Sequence, residues 1–147
     1  MVKRVMICAL VAVMAVPMFV SPASAEATRV DVRAVDYELK GIPAELKVGA
    51  HRFTFENKGE NAHELIVVRK RATSDLSWEE ILAMSRREAE KHIVFVGFTA
   101  AKPGQTAEPF RAYLKAGKYL AVCFEQDDRH SKPHAFKGML RKFHVSR

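Results

Sequence analysis

The chain has 147 residues, 28% of them charged and 48% hydrophobic, with a net charge of +7. That composition excludes disordered and collagen-like chains, and the length excludes most α/β barrels and two-domain enzymes. Residues 1–25 have the form of a secretory signal peptide: basic Lys3 and Arg4, an apolar run from Val5 to Val16, and the small residues Ala23-Ser24-Ala25 before a cleavage point. Cleavage there leaves residues 26–147 as one domain. Loss of Lys3 and Arg4 takes the net charge from +7 to +5. The expected product is an exported monomer, periplasmic or secreted. No second apolar run approaches the ~20 residues that span a bilayer, so no transmembrane span is expected in the mature chain. The positive charge is diffuse, and nucleic acid is not an expected partner.

Most of the mature chain alternates. Val30, Val32 and Ala34 share one face of 29–34, with Asp31 and Arg33 between them, which is the period of a half-buried strand. Phe53 and Phe55 repeat the pattern in 51–56. Short apolar runs at 65–69 and 93–98 suit buried strands. Residues 106–114 contain Pro109, which predicts an edge strand or a break. Two more strands are expected over 118–124 and 139–145. Turn residues punctuate these runs at Gly41-Ile42-Pro43, Val48-Gly49, Asn57-Lys58-Gly59 and Pro103-Gly104. One segment has a different period. Ser77-Trp78-Glu79-Glu80 is a capping box, and Trp78, Ile81, Leu82, Ser85 and Ala89 then fall on one face of a helix expected over 78–91. About seven or eight strands and one inserted helix predict an all-β Greek-key β-sandwich.

The cysteines narrow the chemistry. Cys8 leaves with the signal, so Cys123 is the single cysteine of the mature chain and cannot form an internal disulfide. An unpaired thiol in an oxidising compartment is a liability unless it is buried or occupied, and a metal is the obvious occupant. Cys123 ends one expected strand, His134 and Met139 follow in the loop after it, and His63 sits where a turn-rich loop enters an apolar strand. A thiolate, two imidazoles and a thioether form a soft mixed set. Two His and one Cys in a plane, with a long axial Met, suit copper in both oxidation states. Zinc is the competitor, but it prefers tetrahedral Cys, His and carboxylate sets.

These residues resemble the cupredoxins. An early His follows an Asn/Gly-rich turn (Asn57, Gly59, His63), and Gly-x-Tyr precedes the cysteine strand (Gly117, Tyr119, Cys123). His134 and Met139, with Gly138 before the methionine, resemble the plastocyanin ligand loop. The resemblance implies a cupredoxin-like sandwich, copper as cofactor, and His63, Cys123, His134 and Met139 as its ligands. It implies one-electron transfer or copper handling with a redox or copper-handling protein partner, and no enzymatic turnover. The loop departs from the family pattern: ten residues separate Cys123 from His134, so more polar chain must be ordered before His134 faces the metal. His130 lies within that loop as an alternative second histidine.

A metal-free binding or structural module could use the same sandwich. An enzyme with Cys123 as nucleophile and His63 or His134 as base is disfavoured, because no orienting third residue is evident. Multicopper oxidase chemistry is disfavoured by the lack of a His-x-His pair. His51, His92 and His144 are expected at the surface, and Asp127-Asp128 as a solvated loop tip. Arg69-Lys70-Arg71 is a solvated strand end or a docking site for an acidic redox partner. Phe124, Phe136 and amides near Cys123 are expected to surround the ligands, with Asn57 or Asn61 tying the His63 loop to the Cys123 loop.

Overall fold

The computed structural model describes residues 26–147, and the expected signal peptide, residues 1–25, lies outside the described residues. Nine strands form two sheets: β1 (Thr28–Val35), β2 (Glu38–Lys40), β3 (Glu45–Lys47), β4 (Gly49–Asn57), β5 (His63–Lys70), β6 (Ile93–Ala101), β7 (Thr106–Leu114), β8 (Gly117–Val122) and β9 (Leu140–Ser146). One sheet has the order β2-β1-β4-β7 and the other β3-β9-β8-β5-β6. Pairs β1–β4 and β3–β9 are parallel, and the others are antiparallel. The expected all-β sandwich is therefore present, with the short β2 and β3 added.

The alternation read from the sequence is what closes it. Val30, Val32 and Ala34 from β1 meet Phe53 and Phe55 from β4, and Leu65, Val67, Tyr119, Ala121, Phe143 and Val145 come from the facing sheet. Removing each valine, leucine or phenylalanine side chain from water contributes roughly 1.5–3 kcal/mol. β7 is an edge strand, as Pro109 requires, and its pairing with β4 shifts register between Phe53 and Phe55, opposite the proline.

The expected single helix over 78–91 is two: α1 (Trp78–Ala83) and α2 (Arg86–Ala89). Met84 is extended at φ −79° and ψ 162°, and Ser85 caps α2 by accepting the Glu88 amide. Ser85 therefore starts a new helix where the periodicity placed it inside one. The capping box at Ser77 and Glu80 is present. Trp78 and Ile81 cover the outer face of the five-stranded sheet, against Val68, Leu120, Val122 and Ala135. This second cluster explains why β8 is buried on both faces from Tyr119 to Val122.

His51 is a correction to the expected surface histidines. It is 2% exposed, on the inward face of β4, with Nδ1 3.0 Å from the Gly49 carbonyl. His144 is exposed and His92 half-buried beside Ser74.

The strand directions place the candidate ligands. β5 starts at His63, antiparallel β8 ends one residue before Cys123, and β9 starts one residue after Met139. The three strands are neighbours, so three ends converge at one edge of the sandwich.

Candidate metal centre

His63, Cys123 and His134 have ring nitrogens and sulfur within 4.8 Å of one another, all fully buried. His63 Nδ1 lies 3.9 Å and His134 Nδ1 3.6 Å from Cys123 Sγ, and the two nitrogens are 3.1 Å apart. Bonds of about 2.0–2.1 Å to nitrogen and 2.3 Å to sulfur set nitrogen–sulfur edges of roughly 3.6–3.8 Å at tetrahedral to trigonal angles. The donor triangle matches that size, with only the nitrogen–nitrogen edge tighter.

The far nitrogens explain why the near ones face inward. His63 Nε2–H donates to Asp36 Oδ1 at 2.5 Å, and His134 Nε2–H donates to Asp127 Oδ1 at 2.9 Å. An ionised carboxylate only accepts, so both Nδ1 atoms are left as the metal-facing positions. Without a cation, two lone pairs face each other at 3.1 Å unless one ring carries a second proton. A bound metal ion removes that conflict.

Both carboxylates are held ionised. The Lys137 ammonium, the Tyr37 hydroxyl and the His134 ring keep Asp127 far below the ordinary carboxylate range. Burial works against ionisation of Asp36, but the Glu60 amide and the His63 ring outweigh it and hold its carboxyl below the usual value. Tyr37 packs edge-on against His134, with ring centroids 4.8 Å apart, and carries Lys137 over its own ring.

Cys123 behaves differently. Burial pushes its thiol up to about 11, against the opposing bond from the Glu64 amide at 3.4 Å. A nucleophilic cysteine needs its thiolate stabilised, whereas burial here works against the thiolate, which a bound metal ion would stabilise.

Met139 is fully buried in the core cluster that contains Cys123. Its carbonyl accepts the Cys123 amide at 3.2 Å and its amide donates to the His134 carbonyl at 2.9 Å. The backbone thus carries Met139 to the same end of the sandwich.

The ten-residue loop is ordered by its own polar groups. His134 N–H donates to the Glu125 carbonyl at 2.8 Å and Ala135 N–H to the Cys123 carbonyl at 2.7 Å. Asp128 accepts from the His130 and Ser131 amides, and Gln126 bonds the Ser131 carbonyl. His134 then opens a 3₁₀ turn, His134–Lys137, which Gly138 ends at φ 107°. His130 is exposed and outside the donor cluster.

Several sequence expectations differ here. Asp127 is a partner of His134, with its side chain 24% exposed, and no free loop tip. Phe124 and Phe136 are 40% and 53% exposed, and the aromatic ring on the ligands is Tyr37. Buried Asn57 ties the His63 loop to β6, donating to the carbonyls of Asn61 at 2.8 Å and Ala101 at 2.9 Å. The tie to the Cys123 loop comes from Glu64, whose carboxylate accepts the Phe124 amide at 2.9 Å. Arg69-Lys70-Arg71 lies at the far end of β5, about 23 Å from His63 at ~3.3 Å per residue. Lys70 there bonds the Leu76 carbonyl and sits over Trp78. Asp36 and Tyr37 escaped the sequence reading because they follow β1 with no periodic or motif signal; a carboxylate inside the ligand loop was the only available hint of Asp127.

No family model matches the chain, and no curated protein matches it in sequence. Solved structures do match. Reduced auracyanin from Roseiflexus castenholzii superposes with a TM-score of 0.57 at 16% identity, over 82% of this chain and 98% of that one. Auracyanin A, a "blue" copper protein from Chloroflexus aurantiacus, gives 0.50 at 16% identity, over 82% and 100%. Rusticyanin from Thiobacillus ferrooxidans gives 0.50 at 20% identity, over 84% and 79%. The fold shared with these blue copper cupredoxins is the cupredoxin sandwich.

Proposed function

We propose that this chain is an exported, mononuclear copper protein that carries one electron at a time to a redox protein partner. The observation that supports this most is the buried convergence of the Cys123 sulfur with the inward nitrogens of His63 and His134. Auracyanin A and rusticyanin, which share the fold, are copper proteins by description.

A bound copper ion supplies one-electron redox chemistry. The protein supplies the rest. Cys123 offers the thiolate, and His63 and His134 offer neutral imidazole nitrogens whose orientation Asp36 and Asp127 fix. Met139 is the proposed axial ligand. This set favours copper over zinc, because among the described residues no fourth His, Cys, Asp or Glu joins the cluster, while a buried thioether comes from the adjoining chain.

The burial of all four residues bears on what the copper does. Delivery to a client needs an approachable ligand. A site with no exposed ligand retains its ion, which supports electron transfer over copper delivery. Auracyanin and rusticyanin structures were obtained in reduced states, consistent with a redox role for those proteins.

One equivalent of Cu(II) added to purified protein should give an intense visible thiolate band and a Cu(II) EPR signal. Cys123→Ser should abolish the band. An unchanged band in that variant, or no band in the wild type, sinks the copper reading in favour of a metal-free module.

A further inference from the structure

We infer that Asp36 and Asp127 set the relative affinity of the site for Cu(II) and Cu(I), with Asp36 the stronger of the two and Lys137 acting as the counterweight on Asp127. This inference rests on the proposed copper reading and goes beyond it by assigning positioning residues.

Each histidine donates its outer N–H to a carboxylate, at 2.5 Å for Asp36 and 2.9 Å for Asp127. A carboxylate accepting from the far nitrogen pushes electron density through the ring and makes the metal-facing nitrogen a better donor. The gain is larger for the more highly charged ion, so the pair favours Cu(II) over Cu(I). Both rings are fully buried and both carboxylates are about three-quarters buried, 23% and 24% exposed, so water screens each contact only in part.

The two carboxylates differ in their other partners. Asp127 Oδ2 is bonded to the Lys137 ammonium and accepts the Tyr37 hydroxyl at 2.7 Å. Much of its charge is thereby neutralised. Besides the His63 ring, Asp36 accepts only neutral backbone N–H, from Glu60 at 2.8 Å and from Asn61, and among the described residues forms no ion pair with Lys or Arg. More of its charge is therefore left to act on His63 than Asp127 leaves for His134. Gly59 keeps this cap close: a Cβ there would stand 2.3 Å from Asp36 Oδ1 and 2.8 Å from His63 Nε2.

The arrangement predicts opposite signs for different substitutions, which a purely structural role would not produce. The test measures the reduction potential, the visible band, and Cu(II) and Cu(I) affinities of wild type, Asp36→Asn, Asp127→Asn and Lys137→Met. Asp36→Asn should weaken Cu(II) binding roughly 10–100-fold. Where Cu(II) loses tenfold more than Cu(I), the potential rises by about 59 mV. Asp127→Asn should raise it by less. Lys137→Met, at the exposed rim, should lower it by freeing the Asp127 charge. Equal potentials in all four proteins, with copper bound in each, overturn the inference alone. A Lys137→Met potential at or above wild type also overturns it, and that variant tests the idea even if Asp36→Asn fails to fold. A wild type with no thiolate band overturns the copper reading and this inference together.

Discussion

The backbone amide of Glu64 donates to the sulfur of Cys123 across 3.4 Å, joining the start of β5 to the residue that follows β8. The same residue's carboxylate accepts the amide of Phe124. One residue thus holds both His63, its neighbour in sequence, and Cys123, its neighbour in space. Two corners of the metal-facing triangle are tied through the paired strands β5 and β8, and the third, His134, through backbone bonds from its 3₁₀ turn to the Glu125 and Cys123 carbonyls.

Copper uptake should release a proton from Cys123. Its thiol is held near 11 by burial, so at neutral pH the metal-free site carries S–H. Apparent copper affinity should then rise about tenfold per pH unit below that value, if no other group titrates. Calorimetry in buffers of different ionisation enthalpy counts the proton. Metal-free stability should move the other way at high pH. Between the ordinary thiol value of 9.0 and about 11, the unfolded chain has lost a proton that the folded chain keeps, so stability falls as pH rises through this window. Urea unfolding at a series of pH values reads it.

Gly59→Ala should damage the site from outside it. The added methyl would overlap the Asp36 carboxylate and the His63 ring, so their contact must open. Forcing a methyl into such a space costs about 1–3 kcal/mol. Copper affinity should fall roughly 10–100-fold with the lost cap. Unchanged affinity would show that the Asp36 contact is dispensable.

Met139→Leu should leave the fold and the copper in place. The swap conserves volume in a core position and costs less than about 1.5 kcal/mol. The proposed axial thioether bond is weak, so its loss should raise the potential while the thiolate band persists. A protein with unchanged potential would remove Met139 from the ligand set.

Mature protein recovered from the export compartment should begin at Glu26, after Ala23-Ser24-Ala25. N-terminal sequencing checks this, and a Met1 start there would refute export by cleavage.

The strand alternation of 29–34 and 51–56, the capping box at Ser77 and an edge strand or break at Pro109 were all legible in the chain, because each depends on residues a few positions apart. The chain also suggested four candidate ligands, since Cys123, His134 and Met139 are close in sequence and His63 follows a marked turn, and the structure brings the donor atoms of His63, Cys123 and His134 together. The carboxylates on the far side of the rings were not. Asp36 is 27 residues from His63, and no local period links a residue leaving β1 to one entering β5. Asp127 looked like a polar loop residue because its role depends on Tyr37, 90 residues earlier, and on Lys137 folding back over the loop. The break at Met84-Ser85 is a similar case, where a cap outweighs a periodicity that would carry one helix through. Short-range pattern determines which residues face inward; only the packing of two sheets determines which charged groups end up touching them, and here those contacts orient the histidines.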